Sequence, residues 1–226
     1  MDLKLKDVAE LLQVSETTIR RWLQEEKIPA YSIDNQYFFS RDEIQNWVLK
    51  RKTAGESIKP FKDPEVKKGG QKQYSLTRAL FNGKVISDLN VTKKEDLILK
   101  VSKDIAQEYD LDPEGLSDLL LERERLHTTA LGHGIAIPHT RELVLKKHPD
   151  RIILVFPKKP IEFEALDKEP VYALFFLLAS DDARHLHLLA KIAHLSSDPT
   201  ALELLKQKPT KEKLLAFMRD WEAELS

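Results

Sequence analysis

The stretch from Leu131 to Arg141, LGHGIAIPHTR, decides how this chain is read. Ile135 to Ile137 is a short apolar run fit for a buried strand, and Gly132 and Gly134 loosen the approach to it. Pro138 stops that strand because it offers no donor to a ladder. His139 is left at the strand's exit. An imidazole there can serve as base, metal ligand or nucleophile, and near its ordinary pKa of roughly 6.5 it is largely neutral at cellular pH. A histidine after a proline is by itself most often a plain loop residue, so its surroundings carry the argument.

Around this stretch lie 226 residues, 42% of them apolar, with a net charge of −1. That length holds one large domain or two smaller ones with ordinary cores. No apolar run approaches the ~20 residues needed to span a bilayer. The opening MDLKLKDVAELL carries acids inside its apolar pattern, unlike a signal peptide, so a cytoplasmic protein without a membrane segment is expected. The absence of cysteine excludes disulfides, thiolate zinc sites and cysteine nucleophiles. With so little net charge, any contact with nucleic acid must come from a local surface.

Residues 1–52 read as a small domain of their own. Leu5, Val8, Ala9 and Leu12 recur at helical spacing, Gln13 to Ser15 make a turn with Ser15 as cap, and a second helix follows from about Glu16 to Glu26. Two short helices on a three-residue turn indicate helix-turn-helix. Tyr31 to Ile33 and Gln36 to Ser40, separated by Asp34 and Asn35, form a hairpin. Ser40 and Glu43 then make a capping box for a last helix carrying Ile44, Trp47 and Val48. This order, with LKDVAELLQVSETTIRRWLQEEKIPAY in front and FFSRDEIQNW behind, resembles the excisionase and MerR-like winged DNA-binding family. The resemblance implies a second helix in the major groove and the hairpin as wing. Thr17, Thr18, Arg20 and Arg21, with Asn35 and Gln36 on the wing, are then the DNA-contacting candidates, while Ile19, Trp22 and Leu23 face the core. Against this stands the charge: nine Lys and Arg are balanced by nine Asp and Glu in residues 1–52, without the basic footprint of a strong DNA binder. A protein-docking module is the competing reading.

Residues 53–73 hold two prolines, three glycines, five lysines and almost no apolar side chains, the composition of a flexible linker. From residue 74 to residue 226 a second domain is expected. Val85 to Leu89 reads as its first strand, with helices at Lys93 to Tyr109 and Asp112 to Arg125. After the strand into His139 come strands at Ile152 to Phe156 and Val171 to Leu178, then helices at Asp182 to Ser196, Thr200 to Gln207 and Lys211 to Leu225. Interleaved strands and helices give an α/β fold, a mixed sheet flanked by helices on both faces.

Leu131, Gly132, Ile135, Ala136, Ile137, Pro138 and His139 fill the slots of a phosphohistidine signature. The second domain thereby resembles enzyme IIA of the bacterial phosphotransferase system, in its fructose/mannitol class with the nitrogen-regulatory branch. Thr140 departs from the small residue usual in the next slot. The resemblance implies His139 as phosphate acceptor, Arg123 of LERERL as active-site arginine and His185 of DARHLHLL as second active-site histidine. Thr129 matches a threonine that supports the phosphate or the strand. A guanidinium suits phosphate because its donors form a rigid fork. His185 falls in the first turn of its helix, where free N–H groups and the dipole favour an anion. Leu186, Leu189, Ala190 and Ala193 make that helix's core stripe, leaving His185 at its edge and His187 and His194 as surface or packing residues. A metal hydrolase using His127, His133, His139, His185 and His187 is disfavoured, because residues 185 and 187 point roughly 200° apart on a helix; no metal or other cofactor is expected.

The expected function is a phosphohistidine carrier that takes phosphate from a histidine phosphocarrier protein (HPr-like) and regulates transcription through the N-terminal domain. The alternative is a stand-alone sugar-specific IIA passing phosphate to a separate IIB domain, with the front module docking protein. A homodimer is compatible with either. Phosphorylation is expected to act by adding charge beside an apolar lip that includes Ile135 and Ile137, shifting dimerisation or domain docking.

Overall fold

A computed structural model describes residues 3–33, 36–53, 75–140, 142–145 and 148–224. The chain divides into two compact units, Met1–Tyr74 and Ser75–Ser226. The linker reading lies almost wholly outside the described residues, as does Asn35.

In the first unit, strand β1 (Leu3–Lys4) leads directly into helix α1 (Leu5–Leu12), which ends at Gln13 in the left-handed conformation. Helix α2 (Glu16–Gln24) starts at Ser15, whose hydroxyl accepts the Thr18 N–H at 3.1 Å. Strands β2 (Tyr31–Ile33) and β3 (Gln36–Phe39) form the expected hairpin, and β1 adds to the far side of β3 in a three-stranded antiparallel sheet. Helix α3 (Arg41–Thr53) follows, the Ile44 N–H bonding the Ser40 carbonyl. Val8, Leu12, Ile19, Phe39, Ile44 and Val48 are the fully buried centre. Trp22 packs on Trp47, ring centroids 5.5 Å apart, while Leu23 is only half-buried.

The second unit opens on a helix that the residue pattern did not announce, α4 (Leu76–Asn82). Its N-terminus is tied down from far along the chain. Glu222, in the last helix, accepts from the Leu76 and Thr77 N–H groups and from the Ser75 and Thr77 hydroxyls. Strand β4 (Lys84–Leu89) precedes helices α5 (Lys94–Tyr109) and α6 (Pro113–Leu126), the latter capped by the Asp112 carboxylate. Then come β5 (Ala130–Gly132), β6 (Ile135–Ala136), β7 (Arg151–Pro157) and β8 (Ala173–Leu178), followed by α7 (Asp182–Leu195), α8 (Pro199–Lys206) and α9 (Lys211–Glu224). The sheet order is β4-β7-β8-β6-β5, with β4·β7 and β8·β6 parallel and β7·β8 and β6·β5 antiparallel.

Nearly every residue of β7 and β8 is buried, as a sheet covered on both faces requires. Ile153, Val155, Leu174, Phe176 and Leu178 face α5 and α6. The other face carries α4 against β7 and α7 against β8, with α9 packed on α4. This is the mixed α/β sheet, helix-covered on both faces, that the alternation of elements implied.

Three local expectations are corrected. Gly132 and Gly134 do not loosen the chain. They build a tight turn in which Gly132, His133 and Gly134 have φ of 96°, 53° and 72°, so that β5 and β6 form a hairpin with positive φ at both central residues. Helix α7 has no single core stripe: His185, His187 and Leu188 are buried along with Leu186, Leu189, Ala190 and Ala193, because the helix is covered by neighbours on most sides. Ile135 and Ile137 are no exposed lip either, being 0% and 1% accessible.

Candidate active site

His139 is delivered by the hairpin and then held by the central sheet. The Ile137 N–H bonds the Thr129 carbonyl, the Leu177 N–H bonds the Pro138 carbonyl, and His139 pairs in parallel with Leu177 at the end of β8. The ring is 1% accessible. Its Nδ1 lies 2.7 Å from the Ile137 carbonyl and its Nε2 accepts the Arg123 Nε–H at 3.1 Å. A carbonyl can only accept and a guanidinium can only donate, so these two partners admit one neutral tautomer: the proton sits on Nδ1 and the lone pair on Nε2. Burial, and then the charges of Arg123 and His185, hold the pKa of His139 well below the ordinary histidine value. A neutral imidazole with an in-plane lone pair beside a guanidinium is a nucleophile already free of its proton.

Arg123 reaches His139 from the last turn of α6, where its Nη1 also bonds the His127 carbonyl at 2.9 Å and so closes the helix end. It is 4% accessible. The His185 ring stands 5.2 Å from the His139 ring, centroid to centroid, at a 54° tilt. Arg123, His139 and His185, sixteen and forty-six residues apart in the chain, are thus brought together.

The two supporting residues are placed as follows. The His185 N–H is not a free helix-terminal donor: it bonds the Asp181 carbonyl at 2.9 Å, and the Asp181 carboxylate caps the Arg184 N–H. Asp181 and Asp182 place two carboxylates at this terminus, and the His185 side chain, 5% accessible, is what faces His139. Thr129 does not aim its hydroxyl at His139. It donates that hydroxyl to Glu124 Oε2 at 2.5 Å and its N–H to the same oxygen at 3.0 Å. Glu124 went unnoticed in LERERL because an acid in a charged helix reads as solvated; its position next to Arg123, and five residues before Thr129, is the available signal.

A cleft of about 500 Å³ opens between α5 and α6, lined by Lys94, Leu121, Glu124, Leu126, His127 and Glu164 among others. Leu126 and Leu166 are exposed on this part of the surface and in the adjoining loop.

A family model described as phosphoenolpyruvate-dependent sugar phosphotransferase system, EIIA 2, matches residues 79–221. The chain belongs to that family. A helix-turn-helix domain model matches residues 3–52. The nitrogen regulatory protein of Bradyrhizobium diazoefficiens is 34% identical over 126 residues, covering 54% of this chain and 80% of that protein. That of Escherichia coli is 32% identical over 140 residues, covering 60% and 84%. The crystal structure of the nitrogen regulatory protein IIA-Ntr from Neisseria meningitidis superimposes with a TM-score of 0.55 at 27% identity, over 63% of this chain and 97% of that one. This EIIA chain thus combines a nitrogen-regulatory-like phosphotransferase domain with an N-terminal helix-turn-helix. No helix among its described residues is long and apolar enough to cross a membrane.

On the helix-turn-helix unit, Thr17, Arg20, Arg21 and Gln36 are exposed, whereas Thr18 is half-buried with its hydroxyl 3.0 Å from that of Ser15. Arg20 pairs with Glu16 one turn earlier at 3.6 Å, and Lys27 with Glu25 at 2.8 Å. Arg20 and Lys27 are therefore matched locally by acids.

Proposed function

We propose that the chain is a phosphohistidine carrier whose acceptor atom is His139 Nε2. The observation that carries this reading is the single neutral tautomer imposed by Ile137 and Arg123 in a member of the EIIA family. An HPr-like histidine phosphocarrier is the donor. The Nε2 lone pair attacks phosphorus as the donor's N–P bond breaks, and no proton has to leave because Nε2 carries none. Nδ1–H keeps its bond to the Ile137 carbonyl throughout. Arg123 gives up its bond to Nε2 and turns its donors to the phosphoryl oxygens, with the His185 ring as a further donor. Positioning and charge stabilisation supply the catalysis, since little other bond-making is involved. Incubation with phosphoenolpyruvate, enzyme I and the phosphocarrier should label the chain with acid-labile phosphate, and His139→Ala should abolish it; undiminished labelling of that variant refutes the assignment.

The N-terminal unit, in this reading, binds duplex DNA through Thr17, Arg20, Arg21 and Gln36, with Thr18 ordering the helix start, and makes the carrier a regulator. The local pairing of Arg20 with Glu16 favours a second reading, a protein-docking module on a IIA that hands phosphate to a separate IIB domain. Retention on DNA that weakens with rising salt selects the first.

A further inference from the structure

Arg123 and Glu124 are consecutive on α6, and both lead to the same imidazole. Arg123 does so directly, at Nε2. Glu124 does so through three steps. Its Oε2 accepts the Thr129 N–H and hydroxyl, the Thr129 carbonyl accepts the Ile137 N–H at 3.0 Å, and the Ile137 carbonyl accepts His139 Nδ1–H. We propose that Glu124 is a positioning residue for phosphoryl transfer, which holds β5 and β6 in the register that presents the Ile137 carbonyl to Nδ1 and so keeps the lone pair on Nε2.

Three observations support a dedicated role. Glu124 is 5% accessible, and a carboxylate so placed is costly unless its partners matter. Its Oε2 takes two donors from one residue, which fixes both the Thr129 side chain and the backbone that β6 reads. Its Oε1 makes no hydrogen bond among the described residues and has Lys94 Nζ only at 3.9 Å, so the group is not explained as one half of a close salt bridge. Burial raises its pKa, whereas the Thr129 bonds lower it. The relay needs only an acceptor at Oε2, so it survives protonation of the acid.

The inference rests on His139 being the acceptor, and the two can fail separately because the ring tautomer is measured without any transfer. In the full chain, ¹⁵N shifts of the His139 ring should report a protonated Nδ1 and a bare Nε2. Glu124→Ala should mix the tautomers and slow phosphoryl acceptance by about 10²-fold, the scale of a small misplacement of a reacting group. Glu124→Gln, which keeps the acceptor, should restore both to within a few-fold. Should Glu124→Ala not fold, Thr129→Val decides: loss of the hydroxyl should shift the ring signals in the same direction. Wild-type ring shifts and rates in the alanine or valine variant would overturn the proposal, as would a glutamine variant no better than alanine. A wild-type chain that accepts no phosphate, with tautomer effects as described, would instead remove the carrier reading and leave the relay standing.

Discussion

His139 has two fixed neighbours and one permitted protonation state, and its pH behaviour follows from that. Its folded pKa is depressed by burial, by Arg123 and by His185. In the unfolded chain the ring protonates near roughly 6.5. Between that value and the lower folded one, the unfolded state binds the extra proton, so stability should fall as pH drops below about 6.5. Replacing His139 with Gln should flatten that part of the stability profile, and the folded ring should show no titration step near 6.5 by NMR. Arg123→Lys tests the guanidinium. A lysine keeps the charge but not the fork, so acceptance should slow, and Arg123→Ala should cost on the order of 10² to 10³ in rate. His185→Ala should slow transfer without loss of fold, measured against the same donor. Equal rates in the Arg123 and His185 variants would remove their roles.

The hairpin of β5 and β6 is the element on which the site hangs, and it depends on Gly134. A Cβ there would come 2.3 Å from Tyr172 Cδ1, on a residue whose φ is +72°. Gly134→Ala should therefore destabilise the second unit by more than about 1–3 kcal/mol, the cost of the backbone strain alone, as a lowered urea midpoint. The glycines were visible in LGHGIAIPHTR, but their turn was not, because β5 begins in a TTA stretch without strand periodicity. The strand end at Pro138 and the helices α5 to α9 were legible from apolar spacing and caps, His139 from its signature, and Arg123 and His185 only through the family resemblance. Helix α4 was not, since seven residues carry too short a period and, beyond the local Ser75 cap, its N-terminus is fixed by Glu222, 146 residues beyond Leu76. Strand β1 was hidden for a similar reason: two residues running into a helix gain strand character only from Phe38 and Phe39. In the first unit, Trp22 lies between α2 and α3 against Trp47. Trp22→Ala should cost about 3–5 kcal/mol and melt that unit selectively, seen as an early loss of part of the helical circular dichroism.

Taken whole, the molecule places a nearly neutral helix-turn-helix and a phosphotransferase unit in one chain, so DNA affinity and phosphate occupancy can be measured on the same sample. Salt should weaken any DNA complex by few counterions, in keeping with the small number of unmatched cations on α2. The depth of the histidines sorts the molecule further. His127, His133 and His148 lie at the surface, while His139, His185 and His187 are 1%, 5% and 2% accessible. An acylating reagent that attacks neutral imidazole should therefore modify the first three early and His139 last, even though the partners of His139 hold its Nε2 without a proton. Mass spectrometry of the partly acylated chain reads that order. If docking of the donor parts the cover over the ring, adding the phosphocarrier protein should move His139 from the end of the series towards its beginning, and that change of rank would time the opening independently of any phosphate transferred.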